Sequence, residues 1–259
     1  MKDTQTIYGI HAVRVMLERH PERVRGVRLA ERRDDPRVRE IEALAQRHQR
    51  PVQRVELHAL KQHLGDVAHQ GVAADVAPLA AWTEDELLTA LQGVKAPLLL
   101  ALDGVQDPHN LGACLRSADA CGVLALIVPR DRAAQLTATV RKVAVGAAET
   151  TPVAAVTNLA RTLKLLKESG FWVIGADPAG EKRPQDVDLQ GPLVLVLGAE
   201  GTGLRQLTRQ HCDFLVRLPQ LGAVESLNVS VAAGMLLYEA VRQRHPDRLP
   251  GEVHAPANP

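Results

Sequence analysis

The chain has 259 residues, 46% hydrophobic and 24% charged, with a formal net charge of +1. That is enough for one large domain or two modest ones with a real core, and no apolar run approaches the length of a membrane span. Only six aromatic residues are present (Tyr8, Trp82, Phe171, Trp172, Phe214 and Tyr238), which argues against a nucleic-acid binder built on stacking platforms.

The N-terminal stretch "MKDTQTIYGIH" has no apolar signal core. Cys114, Cys121 and Cys212 lack C-x-x-C spacing and read as reduced, buried thiols, so a cytoplasmic location is expected. Residues 1–76 hold 14 Lys/Arg against 11 Asp/Glu and six of the ten histidines, while the rest holds 17 against 19. This mild asymmetry fits an RNA-binding front and an enzymatic back, and equally a solvated surface by chance.

In chain order, "HAVRVMLER" places Val13, Met16 and Leu17 at helical spacing, and "VRGVRLA" alternates as a strand. "PRVREIEALAQRHQ" opens on Pro36 and puts Val38, Ile41, Leu44 and Ala45 on one helix face. "PVQRVEL" reads as a strand, "HALKQHLG" as a short helix ending at Gly65, and "GVAADVAP" as another strand. Residues 1–76 are thus expected to form a small α/β domain. Residues 77–95 are expected to be linker plus helix, the helix opening at the capping box Thr83–Glu86.

From residue 96 to 245 the pattern alternates. "PLLLALDGV", "LALIVP", "FWVIGAD", "PLVLVLG" and "FLVRLP" are short apolar runs suited to strands buried on both faces. Helices are expected at Leu111–Ala120, Thr137–Ala147, Leu159–Glu168 and Leu204–His211, with a long last one from about Leu227 to His245. The fold class is therefore α/β, a parallel sheet with helices on both faces. The tail, 246–259, carries four prolines and few apolar residues and is expected to be disordered.

Ligands of parallel sheets sit at the carboxyl ends of the strands, so the segments that follow them matter most. After "LLLALDGV" comes "QDPHNLGACLRSADACG", in which Asn110 stands where an N-cap would be. Arg116 lies six residues on among small residues, either a surface arginine or a functional one. After "PLVLVLG" comes "GAEGTGL", with glycines at 198, 201 and 203. That spacing is G-x-x-G-x-G, not the dinucleotide fingerprint G-x-G-x-x-G, and Glu200 in its middle opposes a phosphate ligand. An NAD-dependent oxidoreductase therefore fits poorly. After "FLVRLP", Ser226 reads as a helix cap, and with Asn228 it opens a helix whose Ala232-Ala233-Gly234 run suits tight packing, internal or between subunits.

In combination, "DPHNLGACLRSADACG", "LVLGAEGTGL" and "LPQLGAVESLNVSVAAG" resemble the three motifs of the SpoU/TrmH branch of the SPOUT methyltransferases. The resemblance extends to "IYGIHAV" and "DRAAQLTATVRKVAVGAAE" and covers nearly all of residues 7–245. It is most similar to the 23S rRNA guanosine-2′-O-methyltransferase type.

The resemblance implies a C-terminal deep trefoil knot made by segments around 195–204 and 216–230. It also implies an N-terminal RNA-binding substrate domain resembling a ribosomal protein. It implies methyl transfer from S-adenosyl-L-methionine to a guanosine ribose 2′-hydroxyl in 23S rRNA or a large-subunit precursor, at the P loop of the peptidyl-transferase centre. A homodimer through the knot is implied, with no metal, membrane or DNA partner.

Carried over residue by residue, Arg116, Asn110, Glu200, Ser226 and Asn228 would be catalytic. Gly198, Leu218, Leu227, Leu197 and Gly201 would bind the cofactor, largely through backbone groups. A guanidinium almost never loses its proton. The chemistry therefore favours Arg116 as an electrostatic grip on the phosphate beside the target ribose and on the developing alkoxide. Asn110, Asn228 and Ser226 would position groups around it, and Glu200 would organise the loop. The alternatives are a tRNA 2′-O-methyltransferase and an RNA-binding relative that has lost catalysis.

Overall fold

The computed structural model describes residues 4–247, apart from 66, 68, 78, 79, 132, 224 and 225. Two sheets organise the chain. The first contains β1 (Gln5–Tyr8), β2 (Val24–Ala30), β3 (Val52–Val55) and β4 (Val72–Val76) in the order β1-β4-β2-β3. Its strands β2 and β3 are parallel and are joined through α2 (Pro36–Arg47), while β4 runs antiparallel to both β1 and β2. Helix α2 starts where Pro36 predicts: Asp35 caps it, accepting from the backbone N–H groups of Arg37 and Val38. Val13, Met16 and Leu17 of α1 (Ile10–Arg19) join Val38, Ile41 and Ala45 in one core against the sheet. Leu60 of α3 (Leu57–Leu64) covers the other face at Ala30 and Ala73. Strand β1 was not foreseen; "QTIY" is too short and too polar to alternate visibly.

The second sheet has six parallel strands in the order β10-β8-β9-β5-β6-β7. They are β5 (Leu98–Asp103), β6 (Ala125–Pro129), β7 (Val153–Val156), β8 (Trp172–Ala176), β9 (Leu193–Gly198) and β10 (Phe214–Val216). The period of two divides its core cleanly. Leu98, Leu100 and Leu102 of β5 with Leu193, Leu195 and Leu197 of β9 face one cluster. Leu99, Ala101, Val194 and Val196 face the other. The first cluster is closed by α5 (Pro108–Ala120), α6 (Ala138–Ala144) and α9 (Val229–Arg244). The second is closed by α4 (Glu84–Ala90), α7 (Leu159–Glu168) and the segment leading into α8 (Gln206–His211). Burial pushes the thiols of Cys114 and Cys212 up to about 12, so neither ionises near neutral pH.

Several boundaries shift for identifiable reasons. Helix α4 opens at the expected Thr83 capping box. Trp82 before it pairs with the edge of β7, its N–H donating to Val153 O and its carbonyl accepting from Ala155 N. Strand β7 itself, "VAAV", was missed because two alanines leave little apolar signal. Helix α6 ends three residues early, at left-handed Val145 and Gly146. Helix α8 starts after Arg205, and α9 starts after Asn228. The tail expected to be disordered lies outside the described residues beyond position 247.

The turn before β2 is tied to the turn before β7 at Glu149, which is 2% exposed. Arg23 donates to its carboxylate at 2.6 Å and to its backbone carbonyl at 3.0 Å, and Arg141 pairs with the other carboxylate oxygen. The small residues of α9 serve packing within the chain: Ala232 and Ala233 are buried and Gly234 lies over Ser117 of α5.

Gly112 is the tightest point between α5 and α6. A Cβ there would stand 2.7 Å from Val143 Cβ and 2.8 Å from the Val140 carbonyl oxygen. Alanine would gain up to about 1 kcal/mol of helix propensity. Forcing two helices apart at a backbone oxygen costs roughly 1–3 kcal/mol. Gly112→Ala is therefore expected to be net destabilising in urea unfolding, and a stabilised variant would contradict this packing.

Candidate active site

The sheet changes direction between β5 and β9: from β5 the chain builds outward through β6 and β7, then returns on the other side. Such a switch point opens a crevice at the carboxyl ends of the strands. Asp103 and Gly198, the last residues of β5 and β9, lie side by side there.

The segment after β5 turns at Asp107-Pro108 into α5. The N-cap is Asp107, which accepts from His109 N at 2.9 Å, with Pro108 in the first helical position. Asn110 is therefore not the cap that the sequence reading allowed. It sits one turn in and is 8% exposed, which frees its side chain for longer-range contacts. Arg116 is exposed and makes no hydrogen bond or ion pair with the described residues.

The segment after β9 doubles back on itself. Gly203 N donates to Ala199 O at 2.9 Å, and Gly201 and Gly203 take φ of 78° and 66°, which glycine adopts without strain. A Cβ on Gly198 would lie 2.0 Å from the carbonyl carbon of Gly203. The close approach that requires Gly198 is thus made by the loop's own backbone and not by a ligand alone.

The segment after β10 leads to α9, capped by Asn228 and not by Ser226. Asn228 Oδ1 accepts from Ser230 N at 2.9 Å and from Ser230 Oγ at 2.6 Å.

These three segments converge on one oxygen. Glu200 Oε1 accepts from Asn228 Nδ2 at 2.7 Å, from Asn110 Nδ2 at 3.1 Å and from Val229 N at 3.3 Å. Asn228 Nδ2 also donates to Asn110 Oδ1 at 2.9 Å. Residues 90 and 118 positions from Asn110 are thereby tied to it. An ionised carboxylate only accepts, so three donors on one oxygen suit it. Glu200 Oε2 has no donor among the described residues and is left for solvent or ligand.

A cavity of about 770 Å³ opens beside this network. All five expected cofactor residues line it: Leu197, Gly198, Gly201, Leu218 and Leu227. Glu200 and Ser226 line it too, although Ser226 is exposed and makes no hydrogen bond to the described residues. Asn110, Asn228 and Arg116 stand outside the lining. The sequence reading missed Asp177, Arg183 and Arg217, which bring charge to the wall. Asp177 accepts from Ala179 N and pairs with Arg209, and Asp186 beside Arg183 holds that guanidinium's pKa above its usual value. The position of Asp177 just past β8 was the available signal. Among the described residues no three His, Cys, Asp or Glu side chains gather as metal ligands, and no helix is long and apolar enough to cross a membrane.

Residues 97–238 match the SpoU rRNA Methylase family, and residues 6–82 match the family described as RNA 2′-O ribose methyltransferase substrate binding. The 23S rRNA (guanosine-2′-O-)-methyltransferase RlmB of Pseudomonas aeruginosa is 55% identical over 249 residues, spanning 95% of this chain and 99% of that protein. The protein of the same name from Pseudomonas syringae pv. tomato is 53% identical, over 96% of this chain and all of its own. Among solved structures, the SpoU methyltransferase AviRb from Streptomyces viridochromogenes, in complex with AdoMet, superposes with a TM-score of 0.74 at 26% identity. That match covers 94% of this chain and 91% of AviRb.

Proposed function

The chain belongs to the SpoU rRNA methylase family, and on that footing we propose that it methylates the ribose 2′-hydroxyl of a guanosine in 23S rRNA, using S-adenosyl-L-methionine. The observation that carries the proposal is the convergence of Asn110, Asn228 and the backbone of Val229 on Glu200, at the edge of a cavity sized for a nucleoside cofactor. The name shared by relatives more than half identical over essentially their whole length supplies the substrate class.

The residues present fit this cofactor. The cavity wall combines leucine side chains with the backbone of a glycine loop, suited to an adenosine moiety. Its carboxylates, Glu200 and Asp177, suit the cationic groups of this cofactor, and Arg183 and Arg217 on the same wall suit its carboxylate. The cofactor, when bound, supplies a methyl group activated on a sulfonium cation. The chain must then stabilise charge on a weakly acidic hydroxyl as it attacks. Asn110 and Asn228 have their amides fixed by Glu200 and orient the reacting groups. Arg116 keeps its proton, grips the neighbouring phosphate and stabilises the emerging alkoxide. Ser226 contributes a hydroxyl at the cavity wall.

The finer parts of the reading rest on the resemblance to the family. A P-loop guanosine of the peptidyl-transferase centre is the proposed target, and the cytoplasm the proposed location. Residues 1–76 are the proposed substrate domain, joined through 77–95 to a methyltransferase domain at 96–245. A trefoil knot is supported by the path after β10, which returns across the end of β9 to bring Asn228 and Val229 onto Glu200.

Homodimerisation is supported by Val231, Met235 and Tyr238, exposed at 50%, 40% and 67% along one side of α9. That helix packs on α5, which bears Arg116. Arg116 leaves α5 about 120° around from Asn110, so a second copy seated on this face is the proposed route by which Arg116 reaches a site. Tyr238→Asp is accordingly expected to sediment as a monomer with methylation lost; an active monomer would remove the dimer from the account.

The reading as a whole is tested by tritium transfer from labelled S-adenosylmethionine to 23S rRNA and to tRNA in parallel. Label in 23S rRNA alone is expected. Label in tRNA alone would favour the tRNA enzyme, and none in either would favour an inactive binder.

A further inference from the structure

One buried carboxylate at the carboxyl end of the sheet takes no part in the proposed methyl transfer. Asp103 closes β5 beside Gly198, and its side chain is wholly shielded from solvent. A carboxylate so placed is costly unless it is paired and hydrogen-bonded. Both of its oxygens are taken by a single residue 102 positions away. Oδ1 accepts from Arg205 Nε at 2.6 Å, and Oδ2 accepts from the Arg205 backbone N at 2.9 Å. Arg205 follows the glycine loop directly and stands at the N-terminal boundary of α8. The loop 199–204 therefore leaves the sheet at Gly198, anchored by the β5–β9 ladder, and is brought back to the same place by Asp103. Glu200 lies inside the segment so closed.

We propose that Asp103 and Arg205 are positioning residues that clamp the base of the glycine loop. They thereby set where Glu200 meets Asn110 and Asn228, and where the loop backbone faces the cavity. The inference rests on the reading of that cavity as the S-adenosylmethionine site.

The test uses the full chain with Arg205→Ala and Asp103→Asn. Two readouts are hydrogen exchange of the 199–204 amides and calorimetric affinity for S-adenosylmethionine. Losing a charge-assisted hydrogen bond is worth about tenfold. Loop exchange and cofactor Kd should each rise by roughly that factor in either variant, with the β5 and β9 amides unchanged. The double variant should do no more than the stronger single one. Should Asp103→Asn fail to fold, Arg205→Ala decides, since its side chain lies at the surface. A Kd within twofold of wild type with unaltered loop exchange would overturn the proposal. So would exchange that rises evenly across the sheet. A wild-type chain that binds no S-adenosylmethionine would instead sink the cofactor reading, and the proposal with it.

Discussion

Glu200→Ala is expected to lower kcat/KM for methyl transfer by about a hundredfold, the loss typical of removing a group that preorganises an active site. One oxygen of this side chain holds Asn110, Asn228 and the N-terminus of α9 together. Without it, the Asn110 amide is left nearly buried with an unmet donor, which costs roughly 1–3 kcal/mol. Asn110 and Asn228 retain their direct bond, so the three segments loosen without separating. Activity should therefore fall far more than the melting temperature. Glu200→Gln keeps an oxygen in place and should recover part of the loss. Steady-state kinetics beside thermal denaturation check this. Equal losses in Tm and rate, or full activity in the alanine variant, would mean that the network is only structural.

Arg116→Ala should lose a factor of about 100 to 1,000 in kcat, with affinity for S-adenosylmethionine unchanged, because Arg116 lies outside the cavity lining. Its proposed partner is the phosphate beside the target ribose. Arg116→Lys keeps the charge and loses the planar fork that grips phosphate at two points; it should recover only a small part of the rate. If the lysine variant methylates normally with normal RNA binding, the bidentate role is wrong. Mixing Arg116→Ala with Glu200→Ala chains gives a further reading. Recovered activity places Arg116 in the partner's site, and none places both residues in one copy.

Much of this architecture was legible in the residues. The continuous apolar runs of β5 and β9 announced strands buried on both faces, and Pro36 and Thr83 announced helix starts. The glycine spacing around Glu200 argued against a dinucleotide before any geometry was known. Other features were hidden for physical reasons. Asn110 looked like a helix cap because caps and active-site amides use the same side chain; the Asp107-Pro108 pair, a stronger start signal, resolves it. Ser226 read as the cap of α9, but the helix starts two residues later and Asn228 takes that place. The need for glycine at 198 comes from Gly203 across the loop, and Asp103 meets Arg205 from 102 positions away. Contacts of that kind leave no periodic trace, since they are set by the return of the chain across the sheet.

The central claim is that the ribose, and not the base, is the acceptor. The most direct measurement incubates the protein with labelled S-adenosylmethionine and 23S rRNA lacking the modification, digests the RNA to nucleosides and identifies the labelled one by mass spectrometry. The account predicts 2′-O-methylguanosine from a single position, abolished by Arg116→Ala. Label on a base, or on the ribose of another nucleoside, would contradict it.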